Sequence, residues 1–459
     1  MSASELTGKS GAEYKKMTEA PVFGLVLRLS VPTMFAMLIT SVYNLADTYF
    51  VSSLGNAATG AVGVVYSIQS IIQAIGYGFG MGSQSLISRK LGEKKKDEAN
   101  LYAASGFTAS FIMGFVIMLL GLINVPFVMH LFGATDTALD LACDYGRVIL
   151  YGAPVFCSSF VLNNILRAQG RATLSMLGLC SGGIINIGLD ALFILKMDMG
   201  VKGAATATVL SQVISFAVLA SFFLAKKSVV TVSPFRTSRH IRDYVTIFRT
   251  GLPTVFRQSL GSVATTLLNI TVRPYGDAAM SAVSIANKIY ILLRGMLIGV
   301  GQGFQPVAGY NYGAKKYKRV KKAFNAAAVL GTVYSVAAAL ILFFFSAEII
   351  SLFREGDAAV IQTGGTMLKY LCVPLTVLGY STFVNQLYQT LGFVAPATFL
   401  ASCRQGIFFI PLVLILPHFL GLTGILLTQA VSDVLTFAVS VPFHIRMFNK
   451  ILPGKEKEI

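Results

Sequence analysis

Ser432-Asp-Val-Leu-Thr-Phe-Ala-Val439 repeats, 221 positions later, the stretch Ser211-Gln-Val-Ile-Ser-Phe-Ala-Val218. The same offset carries Pro32 onto Pro253, and Gly55-Asn-Ala-Ala-Thr-Gly-Ala-Val62 onto Gly276-Asp-Ala-Ala-Met-Ser-Ala-Val283. It also carries Gly82-Ser-Gln84 onto Gly303-Phe-Gln305, Gly92 onto Gly313 and Gly203 onto Gly424. One offset that links both ends of each half marks an internal duplication, which decides the architecture before any single element is placed.

The duplicated material is made of long apolar runs. The chain has 459 residues, of which 54% are hydrophobic and 12% charged, with a formal net charge of +17. Soluble domains carry about 25% charged residues, so the reading is a polytopic helical membrane protein. Transmembrane barrels show ~10-residue alternating segments, and none are present. A bilayer span takes ~20 residues, and twelve runs qualify. In the first half they lie near 22–51, 58–86, 101–129, 138–163, 173–195 and 203–225; in the second, near 245–272, 279–307, 322–346, 361–388, 396–418 and 422–446. The expected fold is all-α, with two pseudo-symmetric six-helix bundles. An even number of crossings per copy makes them parallel repeats about an axis along the membrane normal. The expected domains are a tail at 1–21, an N-lobe at 22–225, a basic linker at 226–244, a C-lobe at 245–446 and a tail at 447–459.

Lys and Arg concentrate in loops 87–100 and 313–322 and in the 226–244 linker, all on one side of the expected spans, while the opposite loops are poor in both. That side is read as cytoplasmic, which places both termini in the cytoplasm of a cell-membrane protein. The linker, with Ser233-Pro234 and five basic residues, reads as an exposed connector. The first twenty residues are polar and of mixed charge, so they read as a loose or helical tail and not as a cleaved signal. The positive balance is a topology signal, so no nucleic-acid partner is expected.

The five Cys (Cys143, Cys157, Cys180, Cys372 and Cys403) stand singly, without metal spacing, and read as inert buried thiols. No Ser-His-Asp, Cys-His or metal cluster supports an enzyme, and no Walker motif supports ATP-driven pumping. Gly76-Tyr-Gly78-Phe-Gly80-Met-Gly82 lies within a span with no strand before it, so it reads as a close helix-packing surface and not as a nucleotide loop.

The two copies differ in their embedded charge. Asp47 falls on Leu268, while Asn186 and Asp190 fall on Ile407 and Pro411. A carboxylate at the centre of a span costs roughly 2.5–3.5 kcal/mol on insertion scales. Packing alone would treat the copies alike, so the asymmetry points to function. Asn44 precedes Asp47 by three residues and Asn186 precedes Asp190 by four, so each Asn shares a helix face with its Asp. Asp47 and Asp190 are therefore read as ion-coupling carboxylates, with oxygens of Asn44, Asn186 and Thr208 completing a site for a proton or a transient Na⁺. No cofactor or resident metal is expected. The second copy carries Arg257, Gln258, Lys288, Arg294, Asn385, Gln386, Arg404 and Asp433 within its spans. These read either as a substrate cavity or as a network of structural pairs, with Arg294–Asp433 one such pair.

The chain resembles the multidrug and toxic compound extrusion (MATE) transporters, closest to their bacterial MepA-like branch. The likeness rests on Pro32, Asn44-Leu-Ala-Asp47-Thr48-Tyr-Phe-Val51, Gly82-Ser-Gln84, Asn186-Ile-Gly-Leu-Asp190 and Gly203-Ala-Ala-Thr-Ala-Thr208. In the second half it rests on Gln302-Gly303-Phe-Gln305-Pro306 and Asn311-Tyr312-Gly313-Ala314. It covers nearly the whole chain. The resemblance implies a secondary antiporter that exports hydrophobic, often cationic compounds against H⁺ or Na⁺. It implies that Asp47, Asn186, Asp190 and Thr208 match the family's N-lobe cation-site positions, and that Pro32 marks a bend of the first helix. One branch has a carboxylate in the seventh helix; here the run is Pro253-Thr-Val-Phe-Arg-Gln-Ser-Leu-Gly261, which argues against a C-lobe cation site of that kind. The alternative is a flippase for a lipid-linked precursor, with a basic cavity built from Arg257, Lys288, Arg294 and Arg404. On either reading the chain is expected to act as a monomer in the lipid bilayer on amphipathic or cationic small molecules.

Overall fold

The computed structural model describes residues 9–135, 138–354 and 356–452, and these are helical with no strand among them. A short helix α1 (Lys9–Glu19) leads into α2 (Val22–Ser52), α3 (Asn56–Gly92) and α4 (Lys96–Ile123). A short helix α5 (Val125–Leu131) of about two turns precedes α6 (Leu139–Ala168), α7 (Ala172–Asp190) and α8 (Gly200–Leu224). The second half begins with α9 (Ile241–Val272), α10 (Asp277–Gly313), α11 (Tyr317–Ser351) and α12 (Ala358–Leu391). It ends with α13 (Val394–Ser402) running into α14 (Ile410–Leu420), and with α15 (Leu422–Arg446). With α13 and α14 counted as one crossing, the long helices reproduce the twelve expected spans.

Helix is dictated by the solvent: hydrocarbon offers the backbone no hydrogen bonds, so each span must satisfy its own. Eleven of the twelve are long and apolar enough to cross a membrane. The other, α9, carries Arg242, Asp243, Arg249 and Arg257 along its length. At 1.5 Å per residue the 37-residue helices α3 and α10 reach ~55 Å, well beyond a ~30 Å hydrocarbon layer. Their overhang meets the basic loops, with Arg89 and Lys90 in the last turn of α3. All five Cys are free and buried.

The chain forms two compact units whose boundaries fall inside helices. Unit 1 takes in residues up to Met17 and Leu38–Gln258; unit 2 takes in Thr18–Met37 and everything from Ser259 on. The cuts obey the repeat, because Met37 falls on Gln258 at the 221 offset. The lobes read from the sequence begin at 22 and 245. By packing, the leading half of α2 belongs instead with the second copy, and that of α9 with the first.

The reason lies in two glycines. In unit 1 a Cβ on Gly82 of α3 would overlap the Ile247 carbonyl of α9. In unit 2 a Cβ on its repeat partner, Gly303 of α10, would overlap the backbone of Ser30 in α2. There Thr33 donates to the Gly299 carbonyl at 2.6 Å and Ser30 to the Val300 carbonyl at 3.2 Å. These hydroxyls lie beside Pro32, which removes one hydrogen bond from its own helix. The glycine-rich runs are thus backbone-to-backbone packing surfaces, as small residues at membrane helix interfaces usually are.

Each unit has one helix at its centre, α6 in unit 1 and α12 in unit 2, buried along much of its length. A shared bond ties each to the next helix: Asn163 Nδ2 donates to the Ser175 carbonyl at 2.9 Å, and Asn385 Nδ2 to the Ala397 carbonyl at 2.6 Å.

The 226–244 linker departs from the exposed connector expected of it. Val229 and Val230 are buried. The side-chain oxygen of Gln169 accepts from the Ser228 hydroxyl at 2.9 Å and from the Val229 and Val230 amides. Asn100 Oδ1 accepts from the Thr231 amide at 2.8 Å, and Ser105 Oγ from the Ser238 amide at 2.8 Å. A peptide next to apolar helix ends needs partners for its N–H groups, and α4 and the turn after α6 supply them.

Candidate functional site

Four elements of unit 1 bring the acidic residues together: the trailing half of α2, with Asp47, then α6, α7 and α8. Asn186 and Asp190 stand one turn apart on α7. Asp190 is fully buried and Asn186 is 3% exposed; Asp47 is half-buried. Directly after Asp190 the helix widens into a π-helical stretch, Ala191–Lys196. Such insertions loosen the backbone ladder locally and occur often at functional sites.

The polar atoms here lack partners. Both carboxylate oxygens of Asp190, both side-chain atoms of Asn186 and Oδ1 of Asp47 are buried without a hydrogen bond. In native proteins most such groups are paired, and each exception asks for an explanation. Asp47 and Asp190 are near enough for their charges to interact, and both act on Tyr145 of α6. Tyr145 is 1% exposed and its hydroxyl lies beside the side chain of Thr208 of α8. Tyr43, one turn before Asp47, lies within range of its charge. The cluster therefore offers four donor-free oxygens (two of Asp190, one each of Asn186 and Asp47) beside a pair of hydroxyls. Hard oxygens of this kind suit a proton or a small cation such as Na⁺. The two carboxylates together give the cluster negative charge when both are ionised.

Of the residues read as the coupling site, Asp47, Asn186, Asp190 and Thr208 converge. Asn44 does not join the buried group: its side chain is exposed, and its carbonyl accepts from Thr48 at 2.8 Å. Tyr145 was not legible as a member. A lone Tyr on a span carries no periodic or charge signal, and only the packing of α6 against α8 puts it beside Thr208.

The residues noted in the second half divide between the units. Arg257 and Gln258 are half-buried and belong to unit 1, where Arg257 Nη2 donates to Thr254 Oγ1 at 3.4 Å. Lys288 is exposed on α10 and Arg294 is half-buried, both in unit 2. Asp433 of α15 is fully buried, and its guanidinium partner is Arg404, not the Arg294 that the sequence suggested. Arg404 Nε lies 2.6 Å from Oδ1 and Nη2 lies 3.4 Å from Oδ2. Gln429 Nε2 donates to Oδ1 at 2.9 Å, and the Tyr290 hydroxyl donates to Oδ2. Arg404 sits in a second π-helical stretch, Cys403–Phe409, and its pairing with a residue of another helix is fixed by tertiary packing, which sequence spacing does not record. The Ser432 hydroxyl then binds the Arg404 carbonyl. Among the described residues no group of three or more His, Cys, Asp or Glu side chains is placed to hold a metal ion.

The chain matches the MatE family profile over residues 32–192 and 253–415, one match in each copy. It is 26% identical over 416 residues to the multidrug export protein MepA of Staphylococcus saprophyticus, covering 90% of this chain and 92% of that protein. Among solved structures it is similar to an outward-facing multidrug resistance MATE family transporter of the MOP superfamily, with a TM-score of 0.90, 27% identity and coverage of 96% and 98%. It is equally similar to a MATE protein in complex with MaL6, at a TM-score of 0.90, 27% identity and coverage of 96% and 99%.

Proposed function

The chain belongs to the MatE family, and from that premise we propose that it is a secondary antiporter that exports hydrophobic, cationic drugs or toxic compounds in exchange for H⁺ or Na⁺. The observation that carries the reading is the buried, donor-free acidic cluster of unit 1. Retaining two such carboxylates in a membrane protein costs stability. A visiting cation or proton removes that cost each time it binds.

In this reading Asp47 and Asp190 bind the coupling ion, Asn186 supplies a neutral oxygen, and the Tyr145–Thr208 hydroxyl pair holds the helices around it. The ion-loaded and ion-free clusters differ by a full charge, so they favour different packings of α2, α6, α7 and α8. A ligand shifts a conformational equilibrium only through such differential binding. Alternating access then follows if the packing set by the ion decides to which side the substrate site opens. The basic loops and both termini face the cytoplasm. Likeness to a multidrug export protein and to a multidrug resistance transporter favours drug export over the lipid-flippase alternative, and Arg404, needed for a basic lipid-phosphate cavity, is engaged by Asp433.

The test is a proteoliposome assay with the full chain, separate H⁺ and Na⁺ gradients and a fluorescent cation as cargo. Gradient-driven efflux that disappears in Asp47→Asn, with the protein still inserted, supports the reading. Efflux that ignores both gradients, or persists in that variant, overturns it.

A further inference from the structure

Among the described residues unit 2 has one fully buried carboxylate, Asp433, and it occupies a place related by the repeat to the unit 1 site. At the 221 offset Gln429 falls on Thr208, so the amide that donates to Asp433 stands where unit 1 has its hydroxyl. Asp433 lies one turn further along the same helix. The helix that carries Asp190 in unit 1 corresponds to the one that carries Arg404 in unit 2, and both widen into a π-helical stretch, directly after Asp190 in the first and around Arg404 in the second. The two copies thus present charge from equivalent helices. They differ in what balances it: in unit 1 nothing covalent does, whereas in unit 2 a guanidinium lies against the carboxylate with two nitrogens.

We propose that Arg404 is a tethered cation, filling in unit 2 the role that the exchangeable ion fills in unit 1, so that only one of the two copies loads and releases an ion. This rests on the proposed ion coupling at Asp47 and Asp190. Arg404 is suited to the task. A guanidinium does not lose its proton in proteins and presents two nitrogens to one carboxylate. Its plane lies 5.8 Å over the Tyr290 ring, a second contact that favours the cation. The groups that face Asp433 are Arg404, from the stretch joining α13 and α14, and Tyr290, from α10; its own helix adds the neutral amide of Gln429. With the guanidinium removed, Asp433 keeps the hydroxyl of Tyr290 and the amide of Gln429 as neighbours and regains two oxygens for a mobile ion. A buried carboxylate without a counter-charge takes a proton or a cation in preference to standing bare.

The test counts titrating carboxyls by infrared difference spectroscopy on the purified full chain in lipid, with pH steps and, separately, Na⁺ steps. The unsubstituted protein is expected to show no band that Asp433→Asn removes. Arg404→Met is expected to add one carboxyl band that responds to pH or Na⁺. The double variant Arg404→Met/Asp433→Asn, which leaves no unpaired charge and so guards against a folding failure, is expected to lose that band. An Asp433-dependent band in the presence of Arg404 overturns the proposal, as does a folded Arg404→Met protein with no new band. Bands removed by Asp47→Asn and Asp190→Asn report on unit 1 by themselves. The ion-coupling reading and the tethered cation therefore fail on different signals.

Discussion

Asp190 in unit 1 and Asp433 in unit 2 are both fully buried, on related copies of one six-helix plan, yet their surroundings are opposite. Asp190 has no donor on either oxygen, whereas Asp433 has an arginine, a glutamine and a tyrosine. Burial by itself therefore says little about role. What separates a working carboxylate from a structural one is whether the protein has already supplied its partners. A satisfied buried pair is costly to break, so it resists exchange. An unsatisfied one lowers the cost of admitting a ligand from outside.

The comparison breaks most directly in unit 1. Asp190→Asn is expected to abolish ion-driven efflux. The substitution removes one of the two negative charges that attract the ion, and the neutral amide cannot take up the proton of a proton-coupled cycle. The same variant should melt higher than the unsubstituted protein in ion-free buffer, because it removes a bare buried charge. Efflux rates and a thermal unfolding series read the two effects together, and a drop in melting temperature would equate Asp190 with Asp433.

Next in size is the opposite experiment. Arg404→Met should destabilise the protein by about 3–5 kcal/mol, the range seen when one partner of a buried pair is lost. The double variant Arg404→Met/Asp433→Asn should recover most of that. Denaturant or thermal unfolding of the two proteins measures the recovery, and a double variant no better than the single one contradicts a structural pair. Overpacking should act equally on both copies: Gly82→Val and Gly303→Val are each expected to cost about 1–3 kcal/mol. Equal losses in melting temperature would show that the helix contacts, unlike the charges, are true repeats. The smallest effect is expected from Tyr145→Phe, which removes one hydroxyl worth about 0.5–1.5 kcal/mol. It should weaken apparent ion affinity severalfold in gradient titrations without stopping transport.

The residues that announced themselves in the sequence were those that break the hydropathy of a span or the symmetry of the duplication. Asp47, Asn186 and Asp190 did both, because their counterparts Leu268, Ile407 and Pro411 are ordinary membrane residues. Thr208 entered as a hydroxyl within the sixth span that could complete a site for those acids, and the family resemblance implied the same position. Tyr145 and Tyr290 were silent, since a tyrosine in a span is common and its hydroxyl partner is fixed only by tertiary packing. The Arg404–Asp433 pair could not be chosen over Arg294–Asp433 because either pair would join two different helices, and only the tertiary packing decides which of them meet. The linker misled for a related reason. Its composition is that of an exposed loop, but Gln169, Asn100 and Ser105 bind its amides, and each is far from it in sequence. The cuts inside α2 and α9 were equally hidden, as an apolar run gives no sign of where along its length it changes neighbours.

Those cuts bear on what half of the chain could do by itself. Unit 1 needs residues 241–258 from the second copy, and unit 2 needs residues 18–37 from the first. A chain severed in the linker would therefore leave each half without part of a helix that completes its bundle, so each copy of the repeat depends on the other for its packing.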